Sequence, residues 1–152
     1  MARRPAAPAG AGDEHLNRLN TSMISILFIN GDPAHQMLAK IYLERSGGAA
    51  VTTAGRAGEA LALLKAQAFD AVVTDYFLPD VDGAAFIAGI RSRWERLPVI
   101  VFSVWDRHEI GEEASAAGAD ALVHIGGMPI PLYQGLLAEI RAQVRRSTAG
   151  HL

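Results

Sequence analysis

The sequence predicts a doubly wound α/β domain, a five-stranded parallel sheet with five helices over its two faces. Three observations predict it. Short apolar runs recur at residues 24–29, 49–53, 71–74, 99–102 and 121–125, a length that suits buried strands better than helices. Between the runs, apolar residues recur at three- and four-residue spacing, as on helices with one buried face. The two patterns alternate, which implies a mostly parallel sheet covered on both sides. Crossovers in such a sheet are expected to be right-handed.

Each element has its own signals. After the first run, Asn30-Gly31-Asp32-Pro33 reads as a turn into a helix. Asp32 is placed to cap that helix and Pro33 suits its first position. Met37, Leu38, Ile41 and Tyr42 carry its apolar face, and Gly47-Gly48 stops it. The 49–53 strand is weak. Ala60, Leu61 and Leu64 form the next helical stripe, ending near Gln67. The third strand has Asp75 at its end, and a loop then runs from Pro79 to Asp82-Gly83. Phe86, Ile87 and Ile90 mark the third helix. Pro98 precedes the fourth strand, and Asp106 is placed to cap an Ala-rich helix over 107–117 that Gly118 ends. Residues 126–131 read as a loop. Leu136, Leu137, Ile140 and Val144 give the last helical face.

This places the domain at residues 22–146. Residues 1–21, rich in Ala, Pro and Gly, read as a disordered tail with a short helix near residues 14–19; residues 147–152 read as a frayed end. A chain of 152 residues is expected to form one domain. At that size about two-thirds of the unfolded surface can be buried, so no staple is needed. No cysteine is present, which excludes disulfides and thiolate chemistry and fits a reducing compartment. Fourteen basic and sixteen acidic residues give a formal charge of -2, which favours neither nucleic acid nor a membrane surface as partner. No apolar run reaches the roughly 20 residues of a membrane span, and no signal peptide is legible, so a cytoplasmic location is expected.

In an open parallel sheet the site lies outside the carboxyl ends of the strands. Asn30, Asp32, Asp75, Ser103 and the segment near residues 124–130 should therefore share one edge. The residues at that edge also resemble a known family. Asp75-Tyr-Phe-Leu-Pro79-Asp-Val-Asp82-Gly83 is similar to the phosphoacceptor segment of response-regulator receiver domains. Ile26 to Pro33 resembles the family's first strand and acidic turn, Gly118-Ala119-Asp120 the approach to its fifth strand, and Ser103 stands where the family keeps a Thr or Ser. The resemblance covers roughly residues 23–146 and implies the flavodoxin-like receiver fold. It also implies a phosphorylation switch in which Asp75 takes a phosphoryl group from a histidine kinase, helped by Mg²⁺. The ion would be held by an acidic pair after the first strand, and a lysine after the fifth strand would contact the phosphoryl group.

The chain departs from that pattern where charge matters. The acidic pair falls at Asn30-Gly31, leaving Asp32 as a displaced substitute. Mg²⁺ prefers near-octahedral oxygen ligands, with one or two carboxylates among them. The lysine position falls at Ile125, and the only lysines are Lys40 and Lys65. Arg107 and His124 are the candidate replacements. Ser103 keeps a switch hydroxyl. Phe77, Val104 and Trp105 are bulky candidates to roof the pocket, and the family's aromatic switch position falls at Leu122. Asp82, Asp120, Pro79 and Gly83 read as structural.

Other chemistry is weaker. The five histidines lack metal-ligand spacing, Glu109 with Glu112 and Glu113 reads as a solvated helix face, and Arg141, Arg145 and Arg146 complement the end of the last helix. The sequence therefore predicts an atypical receiver that signals through protein contacts with impaired Mg²⁺-dependent phosphorylation, and no enzyme. No cofactor and no metal are expected. Protein partners are expected, with a histidine kinase, an output protein or a second copy as candidates. Two alternatives stand beside this reading. One is a conventional phosphoacceptor at Asp75, with Mg²⁺ held by Asp32 and Asp75. The other is a sensor module that binds a small ligand.

Overall fold

Alternate residues of the first strand serve two different cores, because successive side chains of a strand point to opposite faces. This strand, β1 (Ile24–Ile29), sends Ile26 and Phe28 to one side and Leu27 and Ile29 to the other, all four buried. The computed structural model describes residues 23–45 and 47–149. The tail expected over 1–21, its short helix, and residues 150–152 of the expected frayed end lie outside the described residues.

The remaining elements follow in alternation: α1 (Pro33–Glu44), β2 (Ala49–Ala54), α2 (Ala57–Ala66), β3 (Ala71–Thr74), α3 (Gly83–Arg93), β4 (Val99–Ser103), α4 (Arg107–Ala117), β5 (Ala121–His124) and α5 (Pro129–Ala149). The five strands form one parallel sheet in the order β2-β1-β3-β4-β5. The chain winds outward in one direction from β1 and in the other from β3, so the strand order reverses between these two neighbours.

Helices α2, α3 and α4 cover one face, where Ala60, Leu64, Ile87, Ile90 and Ile110 pack on Leu27, Ile29, Val72, Val99 and Val101. Helices α1 and α5 cover the other, where Ala39, Leu43, Leu136 and Ile140 pack on Ile26, Phe28, Val73, Ile100 and Phe102. The central strands β1, β3 and β4 are buried on both faces, which is why they read as unbroken apolar runs.

Helix starts follow the sequence signals. Asp32 accepts the Ala34 N–H at 2.9 Å, with Pro33 beginning α1. Asp82 caps α3 through Ala85 N at 3.1 Å. Asp106 and Glu109 form a reciprocal capping box at α4. Gly118 ends α4 at a φ of 118°, in the left-handed region.

Two boundaries differ from expectation. The loop expected over 126–131 is shorter, because α5 already begins at Pro129. Pro129 and Pro131 looked like loop residues, yet the first helical turn leaves its N–H groups without intrahelical partners, so prolines fit there. The same helix continues through 147–149, which the sequence assigned to a frayed end. Ser147 Oγ donates to the Arg96 carbonyl at 2.6 Å and holds that last turn on the α3–β4 loop.

Candidate functional site

The reversal of strand order puts the ends of β1 and β3 side by side. Ile29 pairs with Thr74, and Asp75 N donates to the Ile29 carbonyl at 2.9 Å. Asn30 and Asp75 therefore leave adjacent strands at the same height, at the switch point where open α/β sheets place their sites. Ser103 stands at the end of β4, and its backbone carbonyl accepts Ile125 N at 2.8 Å. The sheet edge thus gathers Asn30, Asp75, Ser103 and Ile125 as the sequence implied.

Asp75 is half-buried. Its Oδ1 accepts the Tyr76 N–H at 2.7 Å and, more weakly, the Phe77 N–H at 3.5 Å. Burial pushes its carboxyl above the ordinary aspartate range. The two backbone donors and the charge of His35 oppose that rise without cancelling it.

The turn after β1 has its polar groups engaged locally. Asn30 is buried at 4 % exposure. Its Oδ1 accepts the Asp32 N–H at 2.8 Å and its backbone carbonyl accepts Gln36 Nε2 at 2.7 Å. Gly31 has no side chain, and a Cβ placed there would sit at an ordinary 3.5 Å from Pro79 Cδ. Asp32 is exposed and gives one oxygen to its helix cap. A Mg²⁺ ion beside Asp75 would meet one well-placed carboxylate and an amide oxygen already holding an N–H. Among the described residues, no three Asp, Glu, His or Cys side chains gather as a metal site. This donor set fits Mg²⁺ poorly.

The candidate replacements for the lysine are placed as follows. His124 Nε2 lies 2.9 Å from the Val104 carbonyl. A carbonyl only accepts, so Nε2 carries the proton and the ring ties β5 to the β4–α4 loop. Arg107 lies at the exposed start of α4, where its stem lies against its own helix beside Gly111. Ile125 is half-buried and offers no charge. The sequence reading missed His35, on the first turn of α1, whose charge acts on Asp75. No local signal marks it, because its approach depends on how α1 crosses the sheet edge.

Ser103 is fully buried, and its Oγ accepts the Trp105 N–H at 3.1 Å. The three bulky candidates lie on the loops after β3 and β4: Phe77, Val104 and Trp105 are 52 %, 62 % and 43 % exposed. The Phe77 and Trp105 rings meet across those loops at 5.3 Å, and Tyr76 stands edge-on to Phe77 at 5.3 Å. Tyr76 is buried and its hydroxyl donates to Glu113 on α4. Burial and that carboxylate hold the phenol well above the ordinary tyrosine range. Glu113 is thus no mere solvated face residue. The role of Asp80 has no local sequence signal. It accepts Ala57 N at 2.8 Å and Gly58 N at 3.0 Å, so the β3–α3 loop supplies the cap that Arg56 does not give α2. Leu122, at the family's aromatic position, packs against the α2–α4 core.

A small cavity of about 130 Å³ opens beside this edge, between α1 and the start of α5. Its walls include Asn30, His35, Phe102, Ile125 and Tyr133. Phe77, Trp105 and His124 are not among its walls.

The chain belongs to the response regulator receiver domain family, which it matches over residues 26–124. It is 34 % identical over 127 residues to the transcriptional regulatory protein KdpE of Mycobacterium tuberculosis, an alignment covering 84 % of this chain and 54 % of that protein. It is also 33 % identical over 99 residues to an uncharacterized 14.6 kDa protein of Leptolyngbya boryana, covering 64 % and 75 % of the two chains. The chain spans about half the length of several curated relatives, KdpE among them. Among solved structures, a CheY-like receiver domain protein of Methanospirillum hungatei superposes with a TM-score of 0.71 at 26 % identity, over 82 % of this chain and 99 % of that one. A receiver domain protein of Clostridium thermocellum gives 0.73 at 22 % identity, over 83 % and 98 %, and supports the fold alone. No helix among the described residues is long and apolar enough to cross a membrane.

Proposed function

We propose that this receiver is atypical: it signals through contacts with other proteins, and Mg²⁺-dependent phosphorylation of Asp75 is impaired. The observation that carries this reading is the charge at the sheet edge. Phosphoryl transfer depends on positioning and on neutralising the phosphoryl oxygens. Beside Asp75 stand an amide whose oxygen holds the Asp32 N–H, a glycine, and a capping aspartate, while the lysine position holds Ile125. A cation at that edge would lack the second carboxylate, and the phosphoryl oxygens would lack a fixed ammonium.

Exposed apolar residues support the contact role. Met37, Leu38 and Ile41 on α1 are 63 %, 40 % and 54 % exposed, and Met128 and Ile130 at the start of α5 are 71 % and 45 % exposed. The two helices pack together, with Tyr42 stacked on Tyr133 at 5.4 Å. Clustered apolar surface of this kind marks interaction sites. Partners on this reading are proteins: a histidine kinase, an output protein, or a second copy. Relatives bearing the name transcriptional regulatory protein are consistent with such a regulatory role.

The test is incubation with acetyl phosphate and millimolar Mg²⁺, followed by an intact mass. The expected spectrum is unchanged, for wild type and for Asp75→Ala alike. A stable gain of one phosphoryl group that Asp75→Ala abolishes would overturn the proposal and establish a conventional phosphoacceptor.

A further inference from the structure

Tyr76 directly follows Asp75, yet its side chain ends on another element. The ring is buried in the same core as Ile110 and Ala114 of α4. Its hydroxyl donates to the carboxylate of Glu113, an exposed residue in the middle of α4. Tyrosine suits this position because it joins an apolar body to a polar tip that seeks a partner. Desolvation and that carboxylate hold the phenol above its ordinary range, so it stays protonated and donates. Packing of the ring fixes where the hydroxyl lies, and the bond fixes α4 to that point.

The backbone of the same residue is tied to Asp75. Its N–H donates to Asp75 Oδ1 at 2.7 Å, and a bond to an ionised carboxylate is stronger than one to a neutral acceptor. Its carbonyl is hemmed in by the start of α3. A Cβ on Gly83 would lie 2.1 Å from that oxygen and 3.0 Å from ring carbon Cδ1. Tyr76 therefore has little room to absorb a change at its N–H, and a shift there is passed along its side chain. We infer that Tyr76 couples the charge on Asp75 to the position of α4: the N–H reads the carboxylate, and the hydroxyl delivers the result to Glu113. Loss of that charge weakens the N–H bond, frees the Tyr76 peptide and moves α4 through the phenol. The coupling needs no phosphoryl group, so it stands whether or not Asp75 accepts one. By reciprocity, a partner that grips α4 is felt at Asp75. A separate contact, Phe77 against Trp105 at 5.3 Å, reaches α4 beside its cap Asp106 instead.

The test is a double-mutant cycle read by amide shifts of the ¹⁵N-labelled full chain. Asp75→Asn removes the charge and keeps the shape. It is expected to shift the amides of Tyr76 and Phe77 and, on α4, those of Glu112, Glu113 and Ala114. Tyr76→Phe keeps the ring and removes the hydroxyl. In that background the same Asp75→Asn change should still shift residues 76 and 77, while the response at 112–114 falls several-fold. A purely structural role for Tyr76 would move α4 in the single variant yet leave the Asp75→Asn increment intact. An undiminished increment would therefore overturn the inference, as would an α4 that ignores Asp75→Asn in the otherwise native chain. Should Tyr76→Phe fail to fold, Glu113→Ala removes the same bond from an exposed position, and its increment decides in the same way.

Discussion

Two aspartates five positions apart illustrate how local surroundings set opposite behaviours. Asp75 is half-buried, and burial raises its carboxyl pKa despite two backbone donors and the nearby His35 charge. Asp80 is exposed, and the Gly58 and Ala57 N–H groups hold its carboxyl below the ordinary range. The signs follow by linkage. A raised folded pKa favours the native state below the unfolded value, and that advantage is lost as pH rises through the folded value. At neutral pH the ionised Asp75 therefore works against folding. Asp75→Asn is expected to raise the melting temperature at pH 7, with the gain shrinking as pH falls through the raised folded value and gone below the ordinary aspartate value near ~4. Thermal melts across that range check it, and equal melting temperatures at pH 7 would contradict it. Asp80 has the reverse sign: its contribution stands at neutral pH and disappears on acidification through its lowered value. At this scale much was legible in the sequence. Asp75, Asp32, Asp106 and Gly118 announced themselves by neighbours a few positions away. His35 and Asp80 did not, because their partners lie on other elements and depend on how helices cross the sheet edge.

Helix starts carry the next level of specification. At α3, Asp82 caps and Gly83 follows, and here glycine answers a close approach. A Cβ on Gly83 would lie 2.1 Å from the Tyr76 carbonyl oxygen, so backbone would have to move. Gly83→Ala is expected to cost about 1–3 kcal/mol by overpacking, seen in urea unfolding as a lower midpoint at unchanged slope. A midpoint equal to wild type would show that the loop relaxes freely. The segment between β5 and α5 was the least legible element. Its Gly126-Gly127 and two prolines carry loop signals, and Gly127 does take a φ of 80°. Proline, however, has the same preference for a first helical turn as for a loop, so the helix start was hidden. The far end of α5 was hidden too, since its anchor on the Arg96 carbonyl comes from a distant loop.

The whole domain has two apolar cores separated by one sheet, and its base is drawn together by Arg91. That guanidinium donates to the carbonyls of Glu95 and Leu97 at 2.7 and 2.9 Å, to Gly118 at 2.9 Å, and to Asp120 at 2.7 Å. Asp120 also accepts Val99 N at 2.9 Å. One side chain thus links α3, the α3–β4 loop, the end of α4 and the start of β5. Arg91→Ala is expected to cost about 2 kcal/mol, the net worth of a few such bonds. Because the sheet is shared by both cores, tryptophan fluorescence and far-UV circular dichroism should still give one coincident unfolding transition. Separated transitions would mean that the two faces melt independently. The strand alternation was readable from apolar spacing because the central strands are buried on both sides. The order β2-β1-β3-β4-β5 was not, since pairing between distant strands leaves no mark on spacing within one.

The carboxylate of Asp80 makes the segment after the candidate phosphoacceptor part of another helix's foundation. Any swing of that segment away from the sheet uncaps α2, releasing the amide protons of Ala57 and Gly58 to solvent. Deuterium uptake at those two amides is therefore a remote gauge of motion beside Asp75, legible without a probe at the site itself.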